Sequence, residues 1–520
     1  MWSTPARGVV MGLARTKSVA LLGVEGHTVE VEAHLGGGAA GLTLVGLPDT
    51  ALREARDRIR AAVVNAGETW PEGHITVSLS PASLPKRGSG FDLAIAAAVL
   101  AADGAISAEA VHDCVLLAEL GLDGRARPVS GVLPAVLASS RRGDRTVMVA
   151  RGNAAEASLV PDIEVVAIGS LGDLLAWVRG EPIPDTPDDD DHPDPGTPEP
   201  SHSRSPDLAD VLGQPVARRA VEIAAAGGHH LMMIGPPGTG KSLLAERLPT
   251  VLPPLTQAES IEVTAVHSVA GTLRKGEPLV TRAPFCAPHH TATRAAIVGG
   301  GSVRLRPGCV SLAHRGALFL DEAPEFATGV LDSLRQPLES GEVIVSRSAA
   351  TVCFPARFQL VLAANPCPCG KSGNACTCSS LQRRRYLARL SGPLLDRVDL
   401  KVELQPVSHA ELLADRAYAE SSETVAERVA QARERAAKRL AATPWTTNAE
   451  VPGAHLRRDF PVPGQALRIL AAALDRGEIS ARGVDRAIRL AWTLADLAGR
   501  PRPEVEDTAY AFALWSGRTP

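Results

Sequence analysis

The 520-residue sequence has no apolar stretch of about 18 residues, the length that a membrane-spanning helix requires, so we expect no membrane span. It also lacks, at its N-terminus, the order of charged, apolar and small residues that marks a secretory signal peptide. Both observations favour a cytoplasmic location. In a reducing compartment, cysteines are more often free thiols or metal ligands than disulfides.

A large net charge of one sign is also missing. The 54 Lys and Arg residues nearly balance 58 Asp and Glu residues, for a formal net charge of -4, so composition alone does not point to a nucleic-acid partner. An acidic run at 188–191 and a basic run at 383–385 have solvated surface as their default interpretation. No internal repeat is evident, and the length exceeds what one core supports, so two or three domains are expected.

A segment with almost no apolar residues divides the chain. Residues 181–207, EPIPDTPDDDDHPDPGTPEPSHSRSPD, are rich in Pro and Asp and are expected to form a disordered linker. Strand-like and helix-like runs alternate in residues 1–180, and short apolar strands precede glycine turns in residues 208–404. Residues 405–520 have helical periodicity. The sequence therefore predicts an α/β protein with a helical C-terminal domain.

The strongest motif is HHLMMIGPPGTGKSLLAERL, in which an apolar strand runs into a glycine turn and then a helix. This is the G-x-x-x-x-G-K-[ST] phosphate loop in the context that gives it meaning. We expect Lys241 to neutralise the β- and γ-phosphates of ATP and Ser242 to bind Mg²⁺. The residues predicted to bind the nucleotide are Gly235, Pro236, Pro237, Gly238, Thr239, Gly240, Lys241 and Ser242.

Two further apolar strands end in polar residues downstream of this loop. ALFL is followed by Asp321 and Glu322, and QLVLAA is followed by Asn365. Asp321 is expected in the Mg²⁺ shell, Glu322 to polarise the attacking water, and Asn365 to reach the γ-phosphate or that water. For Asn365, a simple turn residue is the alternative.

Together these elements resemble an AAA+ ATPase with a P-loop core and a helical lid. The motifs DVLGQPVARRAVEIAAAGGHH, APHHTATRAAIVGGG, RPGCVSLAHRGALFLDEAPEF, NPCPCG and LSGPLLDRVDL narrow the resemblance to the YifB/ComM family of Mg-chelatase-like AAA+ proteins. The resemblance implies a homo-oligomer, a ring hexamer with ATP at subunit interfaces. Arg397 then matches the arginine finger given to a neighbour, and Arg482 matches the sensor-2 arginine, although Arg486 and Arg489 lie on the same predicted helix. For both Arg397 and Arg482, a surface salt bridge is the alternative.

The same resemblance implies a DNA motor, a helicase-type or branch-migration enzyme that remodels branched or single-stranded DNA in recombination or transformation. The alternative is a protein-remodelling ATPase of the Mg-chelatase type that acts on a metal-insertion partner. That alternative requires a larger partner with an integrin-like metal-binding domain, which we do not find in this sequence.

The N-terminal segment resembles a Lon-protease-type domain through SLSPASLPKRGSGFDLAIAAAVLAADG. The position of the family's serine nucleophile falls at Gly90 or Phe91, and its lysine position holds Leu133. Ser89 and Lys86 are displaced from the protease pattern, so we expect no peptidase activity, because a nucleophile needs an oriented base.

Two smaller features keep open interpretations. His289 and His290 match the family's PHH motif, and a structural role is at least as plausible as a catalytic one. Residues 342–355 are expected to form two strands around a polar turn. Similar hairpins in related helicases point into a pore, so Arg347 and Ser348 are candidates for DNA contact, with an ordinary surface hairpin as the alternative.

Four of the eight cysteines follow the pattern C-x-C-x6-C-x-C: Cys367, Cys369, Cys376 and Cys378. Four thiolates form a tetrahedral Zn²⁺ site, and such a site is structural because no position remains for water. Reduced cysteines without a metal are the alternative, since C-x-C is tighter than the usual C-x2-C spacing. The remaining cysteines, Cys114, Cys286, Cys309 and Cys353, need no function.

Overall fold

The structure is a computed structural model of the chain. It describes residues 12–46, 50–86, 88–183, 206–274, 276–301, 305–347, 350–371 and 376–518. Most of the predicted linker, residues 184–205, lies outside this description, as does Ser348.

The N-terminal part, residues 12–183, is built on a mixed seven-stranded sheet of order β3-β4-β2-β1-β5-β8-β9. The described residues of this part form nine strands in all, because β6 and β7 form a separate pair outside the sheet. The strands are β1 (Leu13–Leu22), β2 (Glu25–Gly36), β3 (Gly41–Val45), β4 (His74–Ser80), β5 (Cys114–Leu117), β6 (Glu119–Leu120), β7 (Ala126–Arg127), β8 (Thr146–Ala150) and β9 (Glu164–Ile168). Its helices are α1 (Thr50–Asn65), α2 (Asp92–Ala102), α3 (Ala108–His112), α4 (Val132–Arg142), α5 (Arg151–Ala157) and α6 (Leu171–Val178). Helix α2 is buried along its whole length, which explains why its sequence is almost entirely apolar.

The second part carries a five-stranded, parallel sheet of order β11-β12-β15-β10-β16. Its strands are β10 (Leu231–Ile234), β11 (Phe285–Cys286), β12 (Ala317–Leu320), β15 (Gln359–Ala364) and β16 (Leu400–Glu403), and β13 (Glu342–Arg347) and β14 (Ala350–Pro355) form an antiparallel hairpin. Its helices are α7 (Pro215–Gly227), α8 (Lys241–Val251), α9 (Gln257–Ala270), α10 (Arg294–Val298), α11 (Cys309–Leu312), α12 (Thr328–Ser333), α13 (Arg335–Ser340), α14 (Ser380–Leu387) and α15 (Gly392–Leu395).

The central strands β12 and β15 are buried at every position. Helices cover both faces of such a sheet, so its strands are continuous apolar runs rather than alternating ones. Because all five strands are parallel, their carboxyl ends meet at one edge, where open α/β sheets bind ligands.

The C-terminal part is helical, as the periodicity predicts. It consists of α16 (His409–Asp415), α17 (Ser422–Leu440), α18 (Gly453–Arg458), α19 (Gly464–Asp475), α20 (Ala481–Leu497) and α21 (Val505–Ser516). Helix α20 begins where Ser480 accepts a hydrogen bond from the Gly483 N–H, a standard N-cap. The predicted fold class, α/β with a helical C-terminal part, is therefore confirmed.

The N-terminal part packs directly on the second part, which carries the parallel sheet. The Gly131 N–H donates to the Ser268 carbonyl at 3.1 Å, and Ser268 also donates to the buried carboxylate of Glu156. Burial raises the pKa of Glu156, and the hydrogen bonds that it accepts oppose that shift. Gly23 approaches the hairpin so closely that an added Cβ would lie 2.6 Å from the Cys353 carbonyl oxygen.

Among the helices in the described ranges, none is both long enough and apolar enough to cross a membrane.

Candidate nucleotide-binding site

The glycine turn between β10 and α8 has the geometry of a phosphate loop. Gly238 and Gly240 adopt positive φ angles of 79° and 89°, which glycine alone adopts without strain. An added Cβ on Gly235 would lie 2.7 Å from the Leu404 carbonyl oxygen, so this position also requires glycine. No side chain caps α8, so its first N–H groups are available to an anion.

Lys241 lies inside this loop. Its Nζ donates to the carbonyls of Gly235 at 2.7 Å and Pro236 at 2.9 Å, and to Asn365 Oδ1 at 3.3 Å. Burial lowers the pKa of the Lys241 ammonium, and the carboxylates of Asp321 and Glu322 oppose that shift. The ammonium thus lies at the centre of the loop, where phosphates would compete with its carbonyl partners.

Ser242 and Asp321 meet at the same edge of the sheet. Ser242 Oγ donates to Asp321 Oδ2 at 2.6 Å, although 79 residues separate them in the chain. Hydroxyl and carboxylate oxygens are the hard donors that Mg²⁺ prefers, so this pair fits that ion. Glu322 follows in the left-handed conformation, with φ 50°, and its N–H donates to Asp321 Oδ1 at 2.8 Å.

Asn365 joins the cluster from the third predicted strand. It follows β15, which lies between β10 and β12 in the sheet, and its Oδ1 accepts from Lys241. The structure therefore brings together the side chains from all three strand ends that the sequence pointed to. The roles assigned to them stay predictions.

Arg397 lies at the opposite edge of the sheet from the phosphate loop. It precedes β16, and β16 runs parallel to β10 with Leu400 opposite Leu231. The length of one four-residue strand therefore separates the edge near Arg397 from the edge at the loop, roughly 13 Å along the strand direction. The Arg397 guanidinium donates to Glu339 and to the Pro393 carbonyl of its own chain.

Arg482 shares a cleft with Arg397 rather than with the phosphate loop. The cleft has a volume of about 990 Å³, and Arg486 and Arg489 also line it. Arg486 is bound to Asp399 Oδ1 at 2.5 Å and Arg489 to the Val451 carbonyl at 2.8 Å. Burial would raise the pKa of Asp399, but Arg486 and the neighbouring histidines hold it below its usual range. Arg482, in contrast, is exposed and forms no ion pair within the described part of the chain.

The four cysteines of the C-x-C pattern converge. Their sulfur atoms all lie within 4.8 Å of one another, and the Cys367 sulfur is 3.2 Å from Cys369 and 3.5 Å from Cys376. In a tetrahedral zinc site with bonds of about 2.3 Å, sulfur atoms are about 3.8 Å apart, so the donor set fits the ion. None of the four forms a disulfide.

The cysteine loop contacts the phosphate loop. Gly370 has a φ of 70°, and an added Cβ there would lie 2.9 Å from Pro237 Cγ. Cys367 is fully buried two residues after Asn365. The sequence pattern placed the cysteines after the third strand but did not reveal this packing.

His290 is a site residue that the sequence analysis left without a role. Its Nδ1 lies 3.3 Å from Glu322 Oε2. The available signal was its position: it follows β11, whose carboxyl end meets that of β12 in the parallel sheet. A strand of two residues, such as β11, is too short to be recognised from apolar periodicity.

The hairpin of β13 and β14 forms in the predicted segment. Its turn and the side chain of Arg347 lie outside the described residues, so the predicted DNA contact of Arg347 and Ser348 stays a prediction.

In the N-terminal part, the Lys86 ammonium donates to the Pro81 carbonyl and the Ser89 hydroxyl donates to the Glu119 carboxylate. Leu133 is buried in the position predicted for the family's lysine. The partner of Ser89 is thus a carboxylate and not a lysine.

Three family models match the chain. "Magnesium chelatase, subunit ChlI" matches residues 207–412, "Subunit ChlI of Mg-chelatase" matches 31–153, and "Magnesium chelatase, subunit ChlI C-terminal" matches 419–514. The first covers the phosphate loop and the cysteine loop, the second most of the N-terminal sheet, and the third most of the C-terminal helices.

Similar proteins span nearly the whole chain. A Mycobacterium tuberculosis protein of uncharacterized function is 52% identical over 512 residues, 97% of this chain and 99% of its own length. Competence protein ComM of Haemophilus influenzae is 42% identical over 491 residues, and YifB of Escherichia coli is 40% identical over 489 residues; each alignment covers 94% of both chains.

Proposed function

Because the chain belongs to the YifB/ComM family of Mg-chelatase-like AAA+ ATPases, we propose that it couples ATP hydrolysis to the remodelling of DNA. The observation that best supports ATP hydrolysis is the side-chain cluster at one sheet edge, which consists of Lys241, Ser242, Asp321 and Asn365. Support for DNA comes from the similarity to a competence protein along 94% of the chain. Branch migration or helicase-type movement on recombination or transformation intermediates is the proposed reaction.

In the proposed hydrolysis, each residue of the cluster has a separate task. Ser242 and Asp321 would hold Mg²⁺, which neutralises phosphate charge when it is bound. Lys241 exchanges its carbonyl partners for the β- and γ-phosphates, and Asn365 orients the γ-phosphate or the attacking water. Glu322 accepts the proton of that water.

The ring part of the proposal concerns Arg397 and Arg482. Both lie in the cleft at the sheet edge opposite the chain's own phosphate loop. In the proposed ring, head-to-tail contacts would bring that cleft to the phosphate loop of the next subunit. We propose that the two arginines reach the neighbour's γ-phosphate there, where planar, always charged guanidinium groups suit the developing charge. A homo-hexamer is the proposed assembly.

The DNA proposal is tested by comparing ATPase rates with single-stranded, forked and four-way DNA. We expect at least one of these to raise the rate several-fold, and we expect the Lys241→Ala variant to lose hydrolysis under every condition. The idea fails if none of the three DNAs binds or stimulates the enzyme while the Lys241→Ala control behaves as expected.

A second candidate function is a protein-remodelling ATPase of the Mg-chelatase type. The magnesium chelatase family models support it. Affinity purification separates the two candidates: recovery of a large chelatase subunit without DNA favours the second.

We also propose that the cysteine loop holds a structural Zn²⁺, supported by the convergence of its four sulfur atoms. For the N-terminal part we propose no peptidase activity, supported by the contact of Ser89 with a carboxylate instead of a lysine. Casein cleavage that is lost in a Ser89→Ala variant would contradict the latter proposal.

A further inference from the structure

The carboxylate of Glu322 lies next to a histidine of a neighbouring strand end. The Glu322 backbone is fixed by its left-handed conformation and by its N–H bond to Asp321. Its side chain is half exposed, and its Oε2 lies 3.3 Å from Nδ1 of His290. A glutamate side chain has three rotatable bonds and therefore many rotamers. A contact of this kind favours the rotamers that keep the carboxylate near His290.

The segment that carries His290 is itself fixed. The ring of His289 lies against that of His290, with centroids 4.1 Å apart, and His289 Nδ1 is 2.8 Å from Thr291 Oγ1. Two residues later, Thr293 caps helix α10 by accepting from the Ala296 N–H. The paired histidines therefore lie in a short segment between β11 and α10 that makes contacts of its own at each step.

An exposed histidine–carboxylate contact contributes little to stability, since even a fully charged exposed pair typically contributes less than about 1 kcal/mol. His290 is one-third exposed and Glu322 half exposed, so a stabilising role alone is a poor explanation for this contact. The location is more informative, because Glu322 is the residue proposed to accept the proton of the attacking water. A displacement of about 1 Å in such a group costs on the order of a hundredfold in rate.

We propose that His290 is a positioning residue for ATP hydrolysis: through Nδ1 it holds the Glu322 carboxylate where that group meets the attacking water. This inference rests on the proposed ATPase function and deepens it. In this scheme His290 does not touch the nucleotide and transfers no proton. The ring of His289 packs against the ring of His290 and supports it. In structures without substrate, catalytic contacts are often long or poorly aligned and tighten when substrate binds. The 3.3 Å approach of Nδ1 to Oε2, which lacks hydrogen-bond alignment in this structure, is close enough to become such a contact.

The test is a set of substitutions at position 290. We expect His290→Ala to lower kcat of ATP hydrolysis by about 10- to 100-fold, while KM and the Kd of a fluorescent ATP analogue change less than about twofold. His290→Asn should restore most of kcat, because its amide nitrogen occupies the position of Nδ1. His290→Gln should not, because its amide nitrogen is one bond further out.

His112→Ala is the matched control, since it removes a histidine–carboxylate contact of 3.0 Å, with Asp113, on the surface of the N-terminal part. It should leave kcat unchanged. In a Glu322→Gln background, His290→Ala should cause no additional loss, since both changes act on one group.

The outcomes separate this inference from the function on which it rests. An inactive Glu322→Gln variant supports the proposed hydrolysis mechanism. If kcat is then unchanged in His290→Ala, or the Asn and Gln variants have equal rates, the positioning role is overturned. A fall in the melting temperature or in ATP affinity, in place of kcat, would show a structural role and would also overturn it. If Glu322→Gln hydrolyses ATP normally, the proposed hydrolysis mechanism itself is wrong.

Discussion

His230, the residue before β10, accepts a hydrogen bond on Nδ1 from the Leu360 N–H at 3.0 Å. Desolvation lowers the pKa of this histidine to about 4, with Asp399 opposing the shift and Arg486 adding to it. A protonated Nδ1 could not accept the Leu360 N–H, so geometry and charge both favour the neutral ring in the folded chain.

This residue should make stability depend on pH. The pKa of His230 is lower in the folded chain than the usual value of about 6.5, so the unfolded chain binds more protons between about pH 6.5 and 4. Stability from the neutral ring is complete above that window and falls as pH decreases through it. By this linkage, His230 accounts for about 2 kcal/mol of lost unfolding free energy between pH 7 and 5.

The measurement is urea unfolding at both pH values for wild type and His230→Asn, whose Oδ1 can accept the Leu360 N–H without titrating. The variant should lose about 2 kcal/mol less than wild type between the two pH values. An equal loss in both proteins would contradict the assignment.

Among the elements of the fold, the loop after β15 serves two sites. Asn365 contacts Lys241, Cys367 enters the cysteine cluster, and Gly370 packs on Pro237 of the phosphate loop. The cysteine cluster and the phosphate loop are thus joined by a few residues of backbone and one tight contact. Loss of the metal proposed for the cluster should therefore weaken nucleotide binding at the phosphate loop.

We expect a Cys376→Ser, Cys378→Ser variant to lose its zinc and to bind ATP roughly tenfold more weakly, about 1.4 kcal/mol. Metal analysis of the purified protein and titration with a fluorescent ATP analogue measure the two effects. Cys353→Ser is the control, since Cys353 lies on the hairpin outside the cluster. Equal zinc content in wild type and the double variant would refute the metal proposal.

At the scale of the whole molecule, the parallel sheet separates the phosphate loop from the arginine-lined cleft. The phosphate loop lies at the carboxyl edge of β10, whereas the cleft of Arg397 and Arg482 lies at the amino edge. One chain cannot bring both to the same phosphate without rearranging the sheet, so the proposed chemistry requires a second copy.

Mixing two inactive variants tests this requirement. Lys241→Ala and Arg397→Ala should each lose at least about a hundredfold in ATPase rate. An equimolar mixture should recover roughly a quarter of the wild-type rate, because one in four interfaces pairs an intact loop with an intact arginine.

Glu339→Ala is the matched control, since it removes the intrachain partner of Arg397 but keeps the arginine. It should retain activity. A mixture that stays inactive, or a Glu339→Ala variant as impaired as Arg397→Ala, would argue against action across an interface.

The phosphate loop, the apolar strands and the helical C-terminal part were predictable because their signals are local. A glycine turn between a strand and a helix, or a buried run such as ALFL, specifies its own backbone within a few residues. Asp321 and Asn365 were predictable one step further, since parallel strands bring their carboxyl ends to one edge. The C-x-C spacing likewise indicated the convergence of the cysteines.

Other features depend on contacts between segments that are distant in sequence. Tertiary structure alone placed His290 against Glu322, Gly370 against Pro237, and Arg482 in the cleft with Arg397. The order of strands in the sheet and the packing of loops decide such contacts, and no periodicity in the chain encodes them. The sequence by itself determined which chemical groups the site contains and which backbone holds them; tertiary structure decided which groups face each other, because that depends on the summed packing of the whole chain.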